Sequence, residues 1–135
     1  MILIEKIQAI ANDIYSVLGN EHDEATYKNA MEIAFMLDKF SYSREMDLPI
    51  YYRGHIVGRG KADFIVYGDS PLAIEVKASS SWGVAPEPQY VSQLNNYMFA
   101  AKTTCGLLIN YPQAGTSLKK QPVNEPEFHI IQPLK

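Results

Sequence analysis

Apolar residues from Ile4 through Ile7, Ile10, Ile14, Val17 and Leu18 recur at helical spacing, and Gly19-Asn20 closes the run with residues suited to a helix end. The spacing predicts a first helix over residues 3–18. Asp23 is placed to cap a second, in which Tyr27, Ala30, Met31, Ala34 and Phe35 continue the period to about Phe40. The pattern then changes to alternation at Met46, Leu48, Ile50 and Tyr52, followed by Arg53-Gly54 as a turn and a short return through His55, Ile56 and Val57. Two β-rich runs, Ala62 to Tyr67 and Leu72 to Ala78, flank Gly68-Asp69-Ser70-Pro71, a tight-turn composition that makes them antiparallel neighbours.

Residues 79–88 read as loop, and Tyr90, Val91, Leu94, Tyr97, Met98 and Ala101 mark a third helix to about Lys102, with Pro88 where a helix start tolerates it. Cys105 to Tyr111 suits a buried strand returning by a crossover, parallel to its neighbour. Pro112 to Pro126 reads as loop, and Phe128 to Gln132 as a last edge strand. Two helices, three or four strands, a helix and a strand cannot alternate regularly, so the expected fold is α+β, a mixed sheet with helices packed against it.

A chain of 135 residues with 47% hydrophobic and 20% charged content is expected to form one soluble globular domain over residues 1–135. One cysteine, Cys105, rules out a disulfide framework and fits a reducing, intracellular compartment. Glu5, Lys6 and Asp13 interrupt the amino-terminal apolar residues, so neither a signal peptide nor a membrane span is expected there. The net charge of −3 argues against holding nucleic acid through a broad basic surface. An acidic enzyme can still cleave it where a bound divalent cation supplies positive charge at the phosphate.

In Leu72-Ala73-Ile74-Glu75-Val76-Lys77-Ala78 two ionisable residues interrupt an apolar strand, and period-two geometry puts Glu75 and Lys77 on one face. An isolated E-x-K is more often a solvated pair on a half-exposed strand. Asp63 changes the weighing, because a short turn between the strands brings its carboxylate near Glu75. Two neighbouring carboxylates beside a lysine resemble a hard-cation site, with the Val76 carbonyl and water as further ligands of Mg²⁺. Lys77 is placed to orient a water or stabilise charge on phosphate. Gln93, with Tyr97 one turn later, faces the same region; alone it would be read as a surface glutamine.

Glu24 at the start of the second helix either favours the helix dipole or adds a metal ligand. Arg59, Lys61, Trp82 and Tyr97 are candidate nucleic-acid contacts, although aromatic residues serve packing more often. His22, His55 and His129 lack zinc-site spacing, and no phosphate-loop or serine-triad pattern occurs.

These segments also carry a family resemblance: Gly19, Glu24 and Tyr27; Leu48-Pro49-Ile50-Tyr51-Tyr52-Arg53-Gly54; Ala62-Asp63; Ile74-Glu75-Val76-Lys77-Ala78; Gln93-Leu94-Asn95-Asn96-Tyr97; and Gly106-Leu107-Leu108-Ile109-Asn110. Together, from about Ile10 to Tyr111, they resemble the GxxExxR proteins, a family assigned to the PD-(D/E)XK nuclease superfamily. The resemblance implies a restriction-endonuclease-like sheet flanked by helices. It also implies Asp63, Glu75 and Lys77 as the signature, Gln93 as its helix-borne companion, and Glu24 as the acid of an early helix. Glu21 replaces the first glycine of the naming motif, Tyr27 stands where its arginine would be, and Ala62 replaces the proline of the superfamily name.

The expected activity is Mg²⁺-dependent hydrolysis of phosphodiesters in nucleic acid, DNA above all, in repair, recombination or processing of ends and branches, with Mn²⁺ able to substitute. A homodimer would allow both strands to be cut together. The alternatives are a non-catalytic nucleic-acid-binding or protein-interaction module, and a hydrolase of smaller phosphorylated substrates.

Overall fold

A computed structural model describes residues 2–114 and 125–132. Three helices, α1 (Leu3–Leu18), α2 (Glu24–Leu37) and α3 (Pro88–Ala101), accompany five strands, β1 (Ser41–Tyr52), β2 (His55–Tyr67), β3 (Leu72–Lys77), β4 (Cys105–Asn110) and β5 (Glu127–Ile131). The sheet follows chain order, β1-β2-β3-β4-β5. Among the described residues only β3 and β4 pair in parallel, joined through α3, so the sheet is mixed and the fold α+β, as expected.

Each helix begins or ends where local chemistry demands. Asp23 caps α2, its carboxylate accepting from the Thr26 N–H at 2.9 Å, and Pro88 opens α3, where a missing N–H costs nothing. At the end of α2, Lys39 adopts a left-handed conformation (φ 60°) and the Phe40 N–H turns back to the Phe35 carbonyl. The helix therefore stops at Leu37 rather than near Phe40.

The β1–β2 hairpin corrects the expectation most. β1 starts at Ser41 rather than Met46, and the short return and the following β-rich run are one 13-residue strand through Gly58-Arg59-Gly60-Lys61. That stretch lacks an apolar alternation because it is largely exposed; backbone pairing with Asp47, Leu48, Pro49 and Ile50 carries it. Gly60 has a further use, since a Cβ there would stand 2.7 Å from Tyr97 Cε1, so its absence lets the tyrosine ring lie on β2. The expected loop at Pro112–Pro126 falls partly on residues 115–124, outside those described.

Apolar cores form on both faces of the sheet. Ile7, Tyr27, Met31 and Phe35 of α1 and α2 pack on Phe64, Ile74, Leu107 and Tyr111. On the other face, Leu94 and Met98 of α3 pack on Ile65, Ala73 and Leu108. Tyr27 and Tyr111 stack at 4.2 Å with rings 4° from parallel, tying α2 to the end of β4.

α3 lies close on β4 because Gly106 carries no side chain: a Cβ there would fall 2.5 Å from Met98 Sδ and 3.3 Å from Leu94 Cγ. Gly106→Val should therefore destabilise the protein by roughly 1–3 kcal/mol through overpacking. The shift in urea midpoint measures it, and an unchanged midpoint would show that α3 can retreat freely.

Candidate active site

The β2–β3 ladder runs from Val66 with Leu72 to Phe64 with Ile74 and then ends. One step beyond, the side chains of Asp63 and Glu75 take over from the backbone. The Asp63 N–H donates to Glu75 Oε1 at 3.0 Å, and the Val76 N–H donates to Asp63 Oδ2 at 2.8 Å. Each carboxylate thus satisfies a buried amide of the opposite strand, and both are held where the strands stop pairing.

A local break in strand periodicity aims Asp63 there. Phe64 and Val66 pack into one core while Ala62 and Ile65 both pack into the other, so the alternation slips at Asp63. Across the hairpin, pairing passes from Arg44 with Phe64 to Met46 with Ala62, over Glu45, whose φ is 53°. A left-handed glutamate inside a strand is a strained residue of the kind found at bulges. It borders the site: Lys28 Nζ of α2 lies 3.5 Å from Glu45 Oε1 and 3.3 Å from Asp63 Oδ1.

A second lysine faces Glu75. Lys77 Nζ is 4.0 Å from Glu75 Oε2, donates to Gln93 Oε1 at 3.3 Å, and stands 4.8 Å over the Tyr90 ring. Gln93 Nε2 donates in turn to the Tyr97 hydroxyl at 2.9 Å, so α3 fixes the ammonium through a chain of partners. Glu24, at the start of α2, is near enough for Asp63, Lys77 and Lys28 to act on its charge, with burial the largest influence, raising its pKa.

The electrostatics follow from burial. Glu75 is only 3% exposed, and burial first, then repulsion from Asp63, pushes its carboxyl up to about 8. For Lys28 burial opposes the charge, but Asp63, Glu24 and Glu45 together outweigh it and raise its pKa.

The structure thus brings together Asp63, Glu75, Val76, Lys77 and Gln93, with Glu24 at the margin. Tyr97 and Arg59 line a groove of about 770 Å³ that runs from Lys77 and Gln93 along the gap between α3 and the hairpin. Arg59 pairs with Asp47 at 2.6 Å, both half exposed. Lys61 is exposed on β2 outside the groove lining. Trp82 packs against the α3-side core, its indole N–H buried and without a hydrogen-bond partner among the described residues.

Sequence reading missed Lys28 and Glu45. The signal for Lys28 was its spacing, one turn after Glu24 on the same helix face. It also missed a polar clamp beyond Lys77. The fully buried Asn110 accepts from the Ser79 N–H at 3.0 Å and donates to Ser80 O and Glu127 Oε1, while Glu127 accepts from the Trp82 N–H.

Among the described residues, no group of three or more His, Cys, Asp and Glu side chains is placed to hold a metal. Asp63 and Glu75 are both buried, and burial together with the neighbouring Asp63 charge raises the Glu75 pKa; a hard divalent cation between two such oxygen donors relieves their repulsion. Mg²⁺ commonly takes one or two carboxylates and keeps its water, so the donor set fits it.

Residues 2–121 match the PD-(D/E)XK nuclease superfamily, and the five-stranded mixed sheet with flanking helices is consistent with its restriction-endonuclease-like fold. The chain belongs to that superfamily. Its fold is similar to that of SSO0001, with a TM-score of 0.60 and 19% identity over 83% of this chain and 52% of that one. It therefore spans about half the length of SSO0001. An alkaline exonuclease from Laribacter hongkongensis aligns with a TM-score of 0.49 and 13% identity, covering 94% of this chain and 81% of that one. No curated protein matches the chain.

The raised Glu75 pKa has a stability consequence. Between its ordinary value of 4.5 and about 8 the folded state holds a proton that the unfolded state has released. Stability of the cation-free protein should therefore fall as pH rises through that window. Glu75→Gln should lessen the decline, as read from urea midpoints in EDTA between pH 5 and 8.5. Parallel wild-type and variant profiles would contradict the assignment.

Proposed function

We propose that the chain is a divalent-cation-dependent nuclease that hydrolyses phosphodiester bonds of DNA, with Mg²⁺ as the ion and Mn²⁺ able to replace it. The observation carrying this reading is the buried Asp63–Glu75 pair with Lys77 beside it, in a chain of the PD-(D/E)XK superfamily. The resemblance of its motifs to those of the GxxExxR proteins supports assigning it to that family within the superfamily.

Asp63, Glu75 and the Val76 carbonyl would hold the ion, with Glu24 as an outer acid. When bound, the ion polarises the phosphate and acidifies water. The remaining work falls to the chain. Lys77, oriented by Gln93 and Tyr90, presents an ammonium to the attacking water and to the charge that grows on phosphate as the P–O bond to the leaving oxygen breaks. Gln93, itself held by Tyr97, fixes the direction of that ammonium. The Asp63 and Glu75 bonds to backbone amides keep both acids in place before any ligand arrives, so little reorganisation accompanies the reaction.

One observation favours a second reading, a nucleic-acid-binding module without catalysis. Lys28 pairs with Asp63, so the chain supplies a cation of its own to the carboxylates. Incubation with single-stranded, duplex and branched DNA and with RNA, in Mg²⁺ or Mn²⁺, separates the two. Asp63→Ala and Lys77→Ala should each lower cleavage by a factor on the order of 10² or more. Equal cleavage by wild type and both variants would reveal a contaminant. No cleavage by wild type, together with no Mn²⁺ binding by calorimetry, would establish the binding module instead.

A further inference from the structure

The groove beside the site has a composition unlike the rest of the molecule. The chain carries 15 Asp and Glu against 12 Lys and Arg, yet among the described residues the groove is lined by two cations, Arg59 and Lys77, while their carboxylate partners Asp47 and Glu75 lie outside the lining. Leu48 and Ile50 of β1 and Ala100 of α3 give it apolar surface. The rings of Tyr90 and Tyr97 stand along α3, and the side chains of Gln89 and Asn96 offer amide donors and acceptors. The lining suits a ligand that is anionic along one side and flat and apolar along the other.

We infer that this groove takes an unpaired polynucleotide strand and leads it to Lys77, which makes the protein selective for single-stranded segments over duplex. The inference rests on the nuclease reading and narrows its substrate. A duplex hides its base faces and presents a polyanionic surface that proteins grip with many cations, whereas this chain has a net charge of −3 and two cations here. An unpaired strand exposes base faces, which bury against Ile50, Ala100 and the tyrosine rings, while its phosphates need few charges. Arg59 is available to a phosphate because its partner Asp47 is half exposed and such pairs are worth little. The volume of about 770 Å³ gives room for a short run of nucleotides.

Fluorescence anisotropy of the full chain in EDTA, with labelled DNA and RNA oligonucleotides as single strands and as duplexes, tests the inference with cleavage suppressed. Single strands should bind at least about tenfold more tightly than the matching duplex, and a preference for either sugar is compatible. Ala100→Trp, which fills the groove from α3, should weaken single-strand binding by about tenfold. Arg59→Glu, on the exposed hairpin, should weaken it similarly and flatten its salt dependence, so the result does not hang on one variant folding. Equal or tighter duplex binding overturns the inference, as does undiminished single-strand affinity in both variants. Hydrolysis of bis(p-nitrophenyl) phosphate by wild type in Mg²⁺ reads the chemistry separately. Hydrolysis without strand preference removes the groove assignment alone, and strand preference without hydrolysis removes the nuclease reading alone.

Discussion

The site depends on a pair of reciprocal bonds, Asp63 N–H to the Glu75 carboxylate and Val76 N–H to the Asp63 carboxylate. Where β2 and β3 cease to pair, two backbone donors would otherwise be buried without acceptors, at a cost of about 1–3 kcal/mol each. The carboxylates satisfy them. The same groups thereby close the sheet and, on the proposed reading, stand where a cation and a phosphate would meet. Burial first and the Asp63 charge second raise the Glu75 pKa, while the backbone bond it accepts from Asp63 works the other way, so the two roles of these oxygens pull against each other.

Around this pair the molecule supplies cations from both sides. Lys28 comes from α2, on one face of the sheet, and Lys77 is steadied by Gln93 and Tyr90 of α3, on the other. The cores that seat these helices therefore set the electrostatics of the site. Gly60 and Gly106 matter in the same way, since each lets α3 approach the sheet at a point where a Cβ would hold it off.

Much of this was legible in the sequence, for identifiable reasons. The helices showed themselves through period and caps, and the Asp63–Glu75 pairing through the short turn and a spacing that a hairpin keeps in register. The β1–β2 hairpin was underestimated because its middle is solvent-exposed on glycines and cations, so no hydrophobic alternation recorded it. Lys28 and Glu45 escaped because their position near Asp63 follows from how α2 crosses the sheet and from a left-handed residue that no local pattern announces. Asn110 falls inside the apolar run Cys105 to Tyr111, which hides that its fully buried amide joins the loop after Lys77 to β5.

That last connection changes how the site region is supported. The loop leaving Lys77 has no strand of its own: Asn110 of β4 holds Ser79 and Ser80, and the carboxylate of Glu127, on a strand far along the chain, holds Ser81 and Trp82. Among the described residues β5 pairs on one side only, with β4, so it lacks the second ladder that holds an inner strand. Part of the rigidity of the ground beside Lys77 is thus borrowed from an outer strand of the sheet. A disturbance there, though it touches none of the acids, is transmitted to the loop that follows them.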